Sequence, residues 1–334
     1  MNILKTIRSS EWWEYKLPPL LAIGYATVLQ ADKNIYDAAY RFAFLILSII
    51  IGAVYVSLVN DITDMEEDKA SGKRNRLSRT SPSKRWLLLG SSIVMGGIYA
   101  WFLSDDVLSL CLYLSSYIAF TLYSVPPFRL KKRGFAGVLA DASGAHLFPS
   151  LLMVAGTVHF FNLAMNWMWF AAVGVWAFMY GLRGILWHQF LDRDNDLRIG
   201  LRTYATQKDP TAFKNQSYFI IAIELIALAV MLVCIGKLWL LVALFVYVSL
   251  LLGYKKIGIQ PITIVPPADQ SWHIVMSSYY QSLFPLALLF ESAIIYPQVW
   301  IVMFVHVLLF PVGLKNIIMH VMMLIKIAFK RATT

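Results

Sequence analysis

Charge is what this chain has least of. Of its 334 residues only 14% are Asp, Glu, Lys or Arg, while 59% are hydrophobic, and the mean hydropathy is +0.63. A soluble domain carries roughly a quarter charged residues, so soluble enzyme and scaffold classes are excluded. Cysteine is almost missing as well. Cys111 and Cys234 both sit inside apolar runs, which leaves no disulfide framework and makes them packing residues. Neither lies near an acidic cluster, which argues against zinc. No Gly-rich phosphate loop of the Walker or Rossmann kind is present. Between Met1 and Glu14 there is no apolar core and no small-residue cleavage site, so no signal peptide is expected there. Trp12, Trp13 and Tyr15 read instead as an interfacial anchor.

What is present is apolar sequence in repeated runs. Helices are expected at about 17–30, 42–60, 86–103, 107–123, 136–155, 167–191, 217–235, 238–254 and 279–296, followed by an apolar stretch at about 299–312 and a basic, Met-rich tail. This predicts an all-α polytopic membrane protein of about nine transmembrane helices, in two pseudo-repeated four-helix halves around a central cavity, with room for an extra C-terminal span. Residues 1–296 form the intramembrane domain on this reading, and 297–334 an additional hydrophobic and basic helical segment.

The net charge of +10 does not point to nucleic acid, because the positive residues fall in alternate loops. One loop carries Lys69, Lys73, Arg74, Arg76, Arg79, Lys84 and Arg85, another Arg129, Lys131, Lys132 and Arg133. Basic residues return at Arg193–Lys214 and at Lys255-Lys256, whereas the intervening loops hold Asp105-Asp106 and a lone Lys237. The expectation is an integral protein of the cell inner membrane, in contact with anionic lipid, with its basic loops in the cytoplasm.

The second apolar run ends in Asn60-Asp61-Ile62-Thr63-Asp64-Met65-Glu66-Glu67-Asp68. On a continuing helix Asn60, Asp64 and Asp68, each four apart, stack on one face. Like charges at that spacing repel, so they call for cations. The sixth run repeats the spacing with His188, Asp192 and Asp196. Two such clusters on one side of the membrane, beside Arg and Lys, suit a diphosphate carried by Mg²⁺. That ion takes one or two carboxylates with phosphate oxygens and water. Asp64, Asp68, Asp192 and Asp196, with Asn60 as a neutral oxygen, supply the donors. A prenyl diphosphate held there becomes a good leaving group, and apolar helices shelter an allylic cation from water.

Three motifs carry a family resemblance. Asn60 to Asp68 resembles the NDxxDxxxD signature of the UbiA-type intramembrane prenyltransferases. Asp192-Arg193-Asp194-Asn195-Asp196, continuing through Gly200 to Thr203, is similar to their second signature, in the form found in 4-hydroxybenzoate polyprenyltransferases. Tyr123-Ser124-Val125-Pro126-Pro127-Phe128-Arg129-Leu130-Lys131 resembles a loop of relatives acting on homogentisate, chlorophyllide and archaeal glycerol lipids. The resemblance covers about 15–296. It implies nine helices, Mg²⁺ as cofactor, and transfer of a prenyl group from an isoprenoid diphosphate to a small aromatic or lipid-like acceptor, with a quinone precursor the leading case. It makes Asn60, Asp64, Asp68, Asp192 and Asp196 metal and diphosphate residues, adds Asp61 as a further contact, and brings Arg76, Arg129 and Lys131 to the diphosphate. Two departures stand out: Asn75-Arg76-Leu77-Ser78 replaces an Arg-Pro-Leu-Pro-like segment, and His188 stands where relatives often carry Asn, Asp or Tyr.

Charged residues within apolar runs tend to line cavities. Arg183, roughly 13 Å deeper than Asp192 along a helix, is read either as a contact to an anionic acceptor or as the partner of Asp141 or Glu224. Asp141 binds or deprotonates an acceptor, or bonds between helices. His188 ligates metal, orients Asp192 or acts as a base. His146 and Glu291 read as structural. Two further functions compete: a terpenoid cyclase using the same cation without an acceptor, and a cation-coupled transporter or lipid-binding scaffold. Against the transporter, coupling sites lie near the bilayer midplane, not at a helix mouth.

Overall fold

The computed structural model describes residues 9–70, 72, 75–198 and 200–332; Lys73 and Arg74 of the first basic loop lie outside them. Helix α1 (Ser9–Gln30) starts before the expected boundary and runs through Pro18 and Pro19. Every residue from 17 to 29 is buried, so α1 is the axis of the bundle, apolar all round as a fully enclosed helix must be. α2 (Ala39–Thr63) and the short α3 (Met65–Ala70) follow, then α4 (Pro82–Phe102) and α5 (Val107–Ser124). Local signals set these ends. Pro82 opens α4 at its first turn, and Asp106 caps α5 by accepting the Leu108 amide at 3.2 Å.

The next span joins α6 (Phe135–Ala142), a π turn (Ser143–Leu147) and α7 (Phe148–Phe160). α8 (Trp167–Arg198), α9 (Pro210–Ile235) and α10 (Leu238–Tyr254) follow. A second π turn (Tyr279–Leu283) leads into α11 (Phe284–Ile295). Both π turns end on the leucine of the same tripeptide, Leu147-Phe148-Pro149 and Leu283-Phe284-Pro285, and in each the Phe amide reaches back five residues, to Ser143 and Tyr279. Proline has no N–H for the ladder, and a single wide turn absorbs the defect. The device recurs four expected spans apart, as the pseudo-repeat predicts.

Six described helices are long and apolar enough to cross a membrane by length and composition, and seven if the bent pair at the C-terminus counts as one span. In place of a straight extra span the structure has α12 (Val299–Leu309) and α13 (Pro311–Ala332), turned by 82° at Phe310. The helical reading also missed a two-stranded parallel ladder, β1 (Ile259–Ile262) with β2 (Ser271–Ile274), in the loop between α10 and α11. Pro261 and the flanking loop residues hid it, since four-residue strands carry little pattern.

Candidate active site

The inner face of α2 carries Ile49, Gly52, Ala53, Val56 and Asn60 at helical spacing, and all five border a cavity of about 250 Å³. From α5, Tyr113, Tyr117 and Phe120 face it. Asp141 enters from α6, Ile185 and His188 from α8, and Lys16 from α1. Asn60 of the first motif and His188 of the second therefore open onto one space, walled largely by apolar and aromatic groups. Tyr55 and Tyr117 lie with ring centroids 4.9 Å apart, and Tyr113 meets Tyr117 at 5.1 Å.

The first motif does not form one unbroken helix. α2 stops at Thr63, Asp64 occupies its C-cap, and α3 restarts at Met65. The cause is a cation: Arg129 Nη2 donates to the Thr63 carbonyl at 2.8 Å, a charged partner for a carbonyl at a helix end. The four-residue ladder nonetheless continues, with the Asp64 amide on Asn60 O at 2.9 Å and the Asp68 amide on Asp64 O at 2.8 Å. Asn60, Asp64 and Asp68 keep to one side.

Their repulsion is met by the loop after α5. Arg129 bridges Asp64 at 3.2 Å and Glu67 at 3.0 Å, Lys131 pairs with Asp64, and Lys132 with Glu67. In that loop the Pro126–Pro127 peptide is cis, and Arg129 is left-handed at φ 40°. The loop then lies directly on α6. A Cβ on Gly137 would stand 2.6 Å from the Leu130 carbonyl oxygen, so glycine is what permits the approach. The Ser124 hydroxyl donates to Asn60 Oδ1. Asn75 Nδ2 donates to the Asp61 carbonyl at 2.7 Å and to Asp68 Oδ2 at 2.8 Å.

The second motif stays helical, because α8 runs on to Arg198. It ends at Gly200, φ +69°, with the Leu201 amide on Asp196 O at 2.9 Å and the Gly200 amide on Leu197 O at 3.2 Å. That is a Schellman stop: glycine is required for its left-handed turn. His188, Asp192 and Asp196 share one face. Asp196 is buried, while Asp192 and His188 are exposed at the mouth. Tyr123, in the last turn of α5, lies within electrostatic reach of both Asp141 and Asp196. Arg193 Nε on Ala205 O at 3.1 Å and the Ala205 amide on Gln189 Oε1 at 3.3 Å fold the following loop onto α8.

The structure thus places Asn60, Asp141 and His188 on one cavity and pairs Asp64 with Arg129 and Lys131 one turn beyond Asn60, while Asp68 continues the α2 side and Asp192 and Asp196 continue the His188 face of α8. Asp61 is wholly buried, and Arg76 is exposed beside Asn75. Arg183 takes the second of its two readings, the buried pair with Glu224. Its guanidinium makes two bonds to Glu224, Nε to Oε2 at 2.5 Å and Nη2 to Oε1 at 2.7 Å, and Nη1 takes the carbonyls of Val275 and Thr263 at 3.0 and 3.3 Å. Charge neutralisation inside the bundle consumes it. Sequence reasoning passed over Lys16, Asn75 and Ser124. Lys16 had a signal, a lone cation at the edge of the first apolar run; Ser124 lay inside the Tyr123–Lys131 motif and Asn75 in the departing Asn75–Ser78 segment, but neither was given a role of its own.

Among the described residues no three His, Cys, Asp or Glu side chains converge into a cage for a metal. The donor set still fits Mg²⁺. It is all oxygen, and this ion is commonly held by one or two carboxylates with substrate phosphates and water completing the shell.

The sequence matches the UbiA prenyltransferase family over residues 18–271. It is similar to two 2-acylphloroglucinol 4-prenyltransferases of Humulus lupulus, one of them chloroplastic, each 30% identical over 139 residues. The matches cover 38% of this chain and 34% and 33% of those proteins, so the chain spans about a third of the length of the curated relatives it matches. Among solved structures it resembles a UbiA homolog from Archaeoglobus fulgidus, with a TM-score of 0.55 at 15% identity over 88% of this chain and 99% of that one. The same homolog bound to DMAPP and Mg²⁺ gives 0.52 at 12% identity, over 88% of this chain and 99% of that one. Bound to GPP and Mg²⁺ it gives 0.51 at 13%, over 87% and 98%. These likenesses are of fold.

Proposed function

The chain belongs to the UbiA prenyltransferase family, and we propose that it transfers a prenyl group from an isoprenoid diphosphate to an aromatic acceptor, a quinone precursor or related lipid, with Mg²⁺ as cofactor. What supports this reading is that Asn60 and His188, from the two motif-bearing helices, line one largely apolar cavity, with Arg129 and Lys131 paired to Asp64 one turn beyond Asn60. The similar solved structures with DMAPP or GPP and Mg²⁺ support the donor and the ion, and the hop enzymes, named for an acylphloroglucinol, support an aromatic acceptor.

On this reading Asn60, Asp64, Asp68, Asp192 and Asp196 hold the ion and the diphosphate. Bound Mg²⁺ supplies Lewis-acid neutralisation of charge on the departing diphosphate. Arg129 and Lys131, which neutralise Asp64 without ligand, are positioned to take phosphate oxygens instead, leaving that carboxylate to the ion. Asn75 fixes Asp68 through its amide. The allylic group enters the cavity, where Phe120, Tyr113 and Tyr117 exclude water and offer ring faces to developing positive charge. Asp141 and His188 line the same space and orient the acceptor or take its proton, and Lys16 sets the local charge. The motif-bearing end faces the cytoplasm, in line with its basic loops.

The test uses purified protein in lipid nanodiscs with Mg²⁺, radiolabelled geranyl to polyprenyl diphosphates and a panel of aromatic and glycerol acceptors. Diphosphate release with a prenylated acceptor, lost in Asp64→Ala and Asp192→Ala, is the expected result. A cyclic product from diphosphate alone would assign a cyclase. Movement of unaltered substrate into sealed vesicles, without turnover, would assign a transporter.

A further inference from the structure

The family match ends at residue 271, and nothing in the proposed reaction uses α13. α12 has 11 residues, about 16 Å of helix, roughly half the thickness of a bilayer core. The 82° turn at Phe310 then prevents α13 from completing that crossing. Its contacts show where it goes. The Val312 amide donates to Glu14 Oε2 near the start of α1 at 3.3 Å. Gly313 lies against Ser282, just before α11, and Leu324 against Gly253 in the last turn of α10. His320 Nδ1 meets the Tyr254 hydroxyl at 3.3 Å. Those helix ends all belong to the side on which both acidic motifs open, so α13 lies across that end of the bundle.

Around its circumference α13 has three sectors. Ile317 is buried against α10 with Leu250 and Tyr254. Ile318, Met322, Ile325 and Phe329 recur at helical spacing on another face and are 48–69% exposed. Lys315 and Lys326, three turns apart, are exposed along the edge of that apolar face. Lys255 and Lys256, next to the docking point at Tyr254, are exposed as well. No acidic residue follows Glu291 in the chain, while Lys330 and Arg331 add to the basic count. A water-facing helix would not align four large apolar side chains, and a membrane-crossing one would not expose two lysines along its length.

We propose that α13 is an interfacial membrane helix: Ile318, Met322, Ile325 and Phe329 enter the lipid at the boundary of headgroups and acyl chains, and Lys315 and Lys326, with Lys255 and Lys256, bind anionic headgroups. Lysine stems reach along the apolar face to place the ammonium at that level. The bilayer surface is thus the occupant of the exposed apolar face that Ile318, Met322 and Ile325 form.

The full chain, with Cys111→Ser and Cys234→Ala, is labelled with nitroxide at Ile318→Cys, Met322→Cys, Ile325→Cys or Phe329→Cys, and studied in nanodiscs with and without anionic lipid. Unchanged thermal unfolding of each labelled protein confirms its fold. Collision with oxygen and with a water-soluble nickel chelate gives depth. The expected result is one common shallow depth for the four labels, deeper with anionic lipid than without. Each surface lysine contributes about 1 kcal/mol to such binding, so Lys315→Gln with Lys326→Gln should weaken capture of spin-labelled anionic lipid by up to about 30-fold. A depth gradient of about 1.5 Å per residue would make α13 a span and overturn the proposal. So would nickel accessibility as in water, or depth and lipid capture indifferent to both anionic lipid and the lysine pair.

Discussion

Replacing Glu224 by Leu removes one half of a charge pair that neither partner can solvate. Arg183 is 1% exposed and Glu224 0%, and the guanidinium touches both carboxylate oxygens. In Glu224→Leu the charge remains, buried and uncompensated, at a cost of about 3–5 kcal/mol. Tyr280, whose hydroxyl donates to Glu224 Oε1 at 2.9 Å, loses its acceptor, which adds about 1 kcal/mol. Removing both charges in Arg183→Met/Glu224→Leu should restore part of the loss. It cannot restore all of it, because the carbonyls of Thr263 and Val275 lose their donor, and a buried orphan costs about 1–3 kcal/mol. Reversible unfolding in mixed detergent and SDS micelles, run as a double-mutant cycle, measures the terms. We expect a coupling of at least about 2 kcal/mol, and faster hydrogen exchange over 259–275 in both Arg183 variants. A cost below about 1 kcal/mol for Glu224→Leu, or a double variant no more stable than that single one, would refute the reasoning.

Gly137→Ala places a methyl group against the Leu130 carbonyl and the Lys131 backbone; the displaced loop carries Arg129 and Lys131, so diphosphate affinity, read by isothermal titration, should fall roughly 10- to 100-fold. Gly200→Ala must adopt φ near +69°, costs about 1 kcal/mol, and should speed exchange at the Leu201 amide that closes α8 behind Asp196. His273, in β2 outside the spans, is held neutral by burial, with His320 facing it, and its pKa is pushed down to about 4. The unfolded chain takes up a proton near pH 6.5 and the folded one only near pH 4. Stability should therefore be level above about pH 6.5 and fall as pH drops towards 4, a slope that His273→Phe should flatten in thermal melts at stepped pH.

The sequence was most legible where the physics is local. Hydropathy marked the long apolar helices, because each span must satisfy its own backbone and bury or expose apolar side chains over a fixed length. The four-residue spacing of Asn60, Asp64 and Asp68 survived a helix break, because the break costs no residue of the ladder. Gly200 and Pro149 acted as their backbone chemistry dictates. Less legible were groups whose partners lie far away in the chain. Asn75 and Ser124 stand in segments the motifs single out, yet nothing in the sequence says that their side chains reach Asp68 and Asn60. The β1–β2 pair is too short to show a period.

By itself the sequence determined the membrane class, the two acidic helix ends and the family, since these rest on composition, spacing and residues adjacent in the chain. The tertiary structure alone decided which charge meets which. Lys131 finds Asp64 across 67 residues and Arg183 finds Glu224 across 41, so one cation meets the first motif and the other a carboxylate buried in the bundle. It also decided that the C-terminal segment bends across the bundle instead of crossing it. The physical reason is the same in each case: the low-dielectric interior makes pairing compulsory, but which partner is in reach is a property of packing, not of position in the chain.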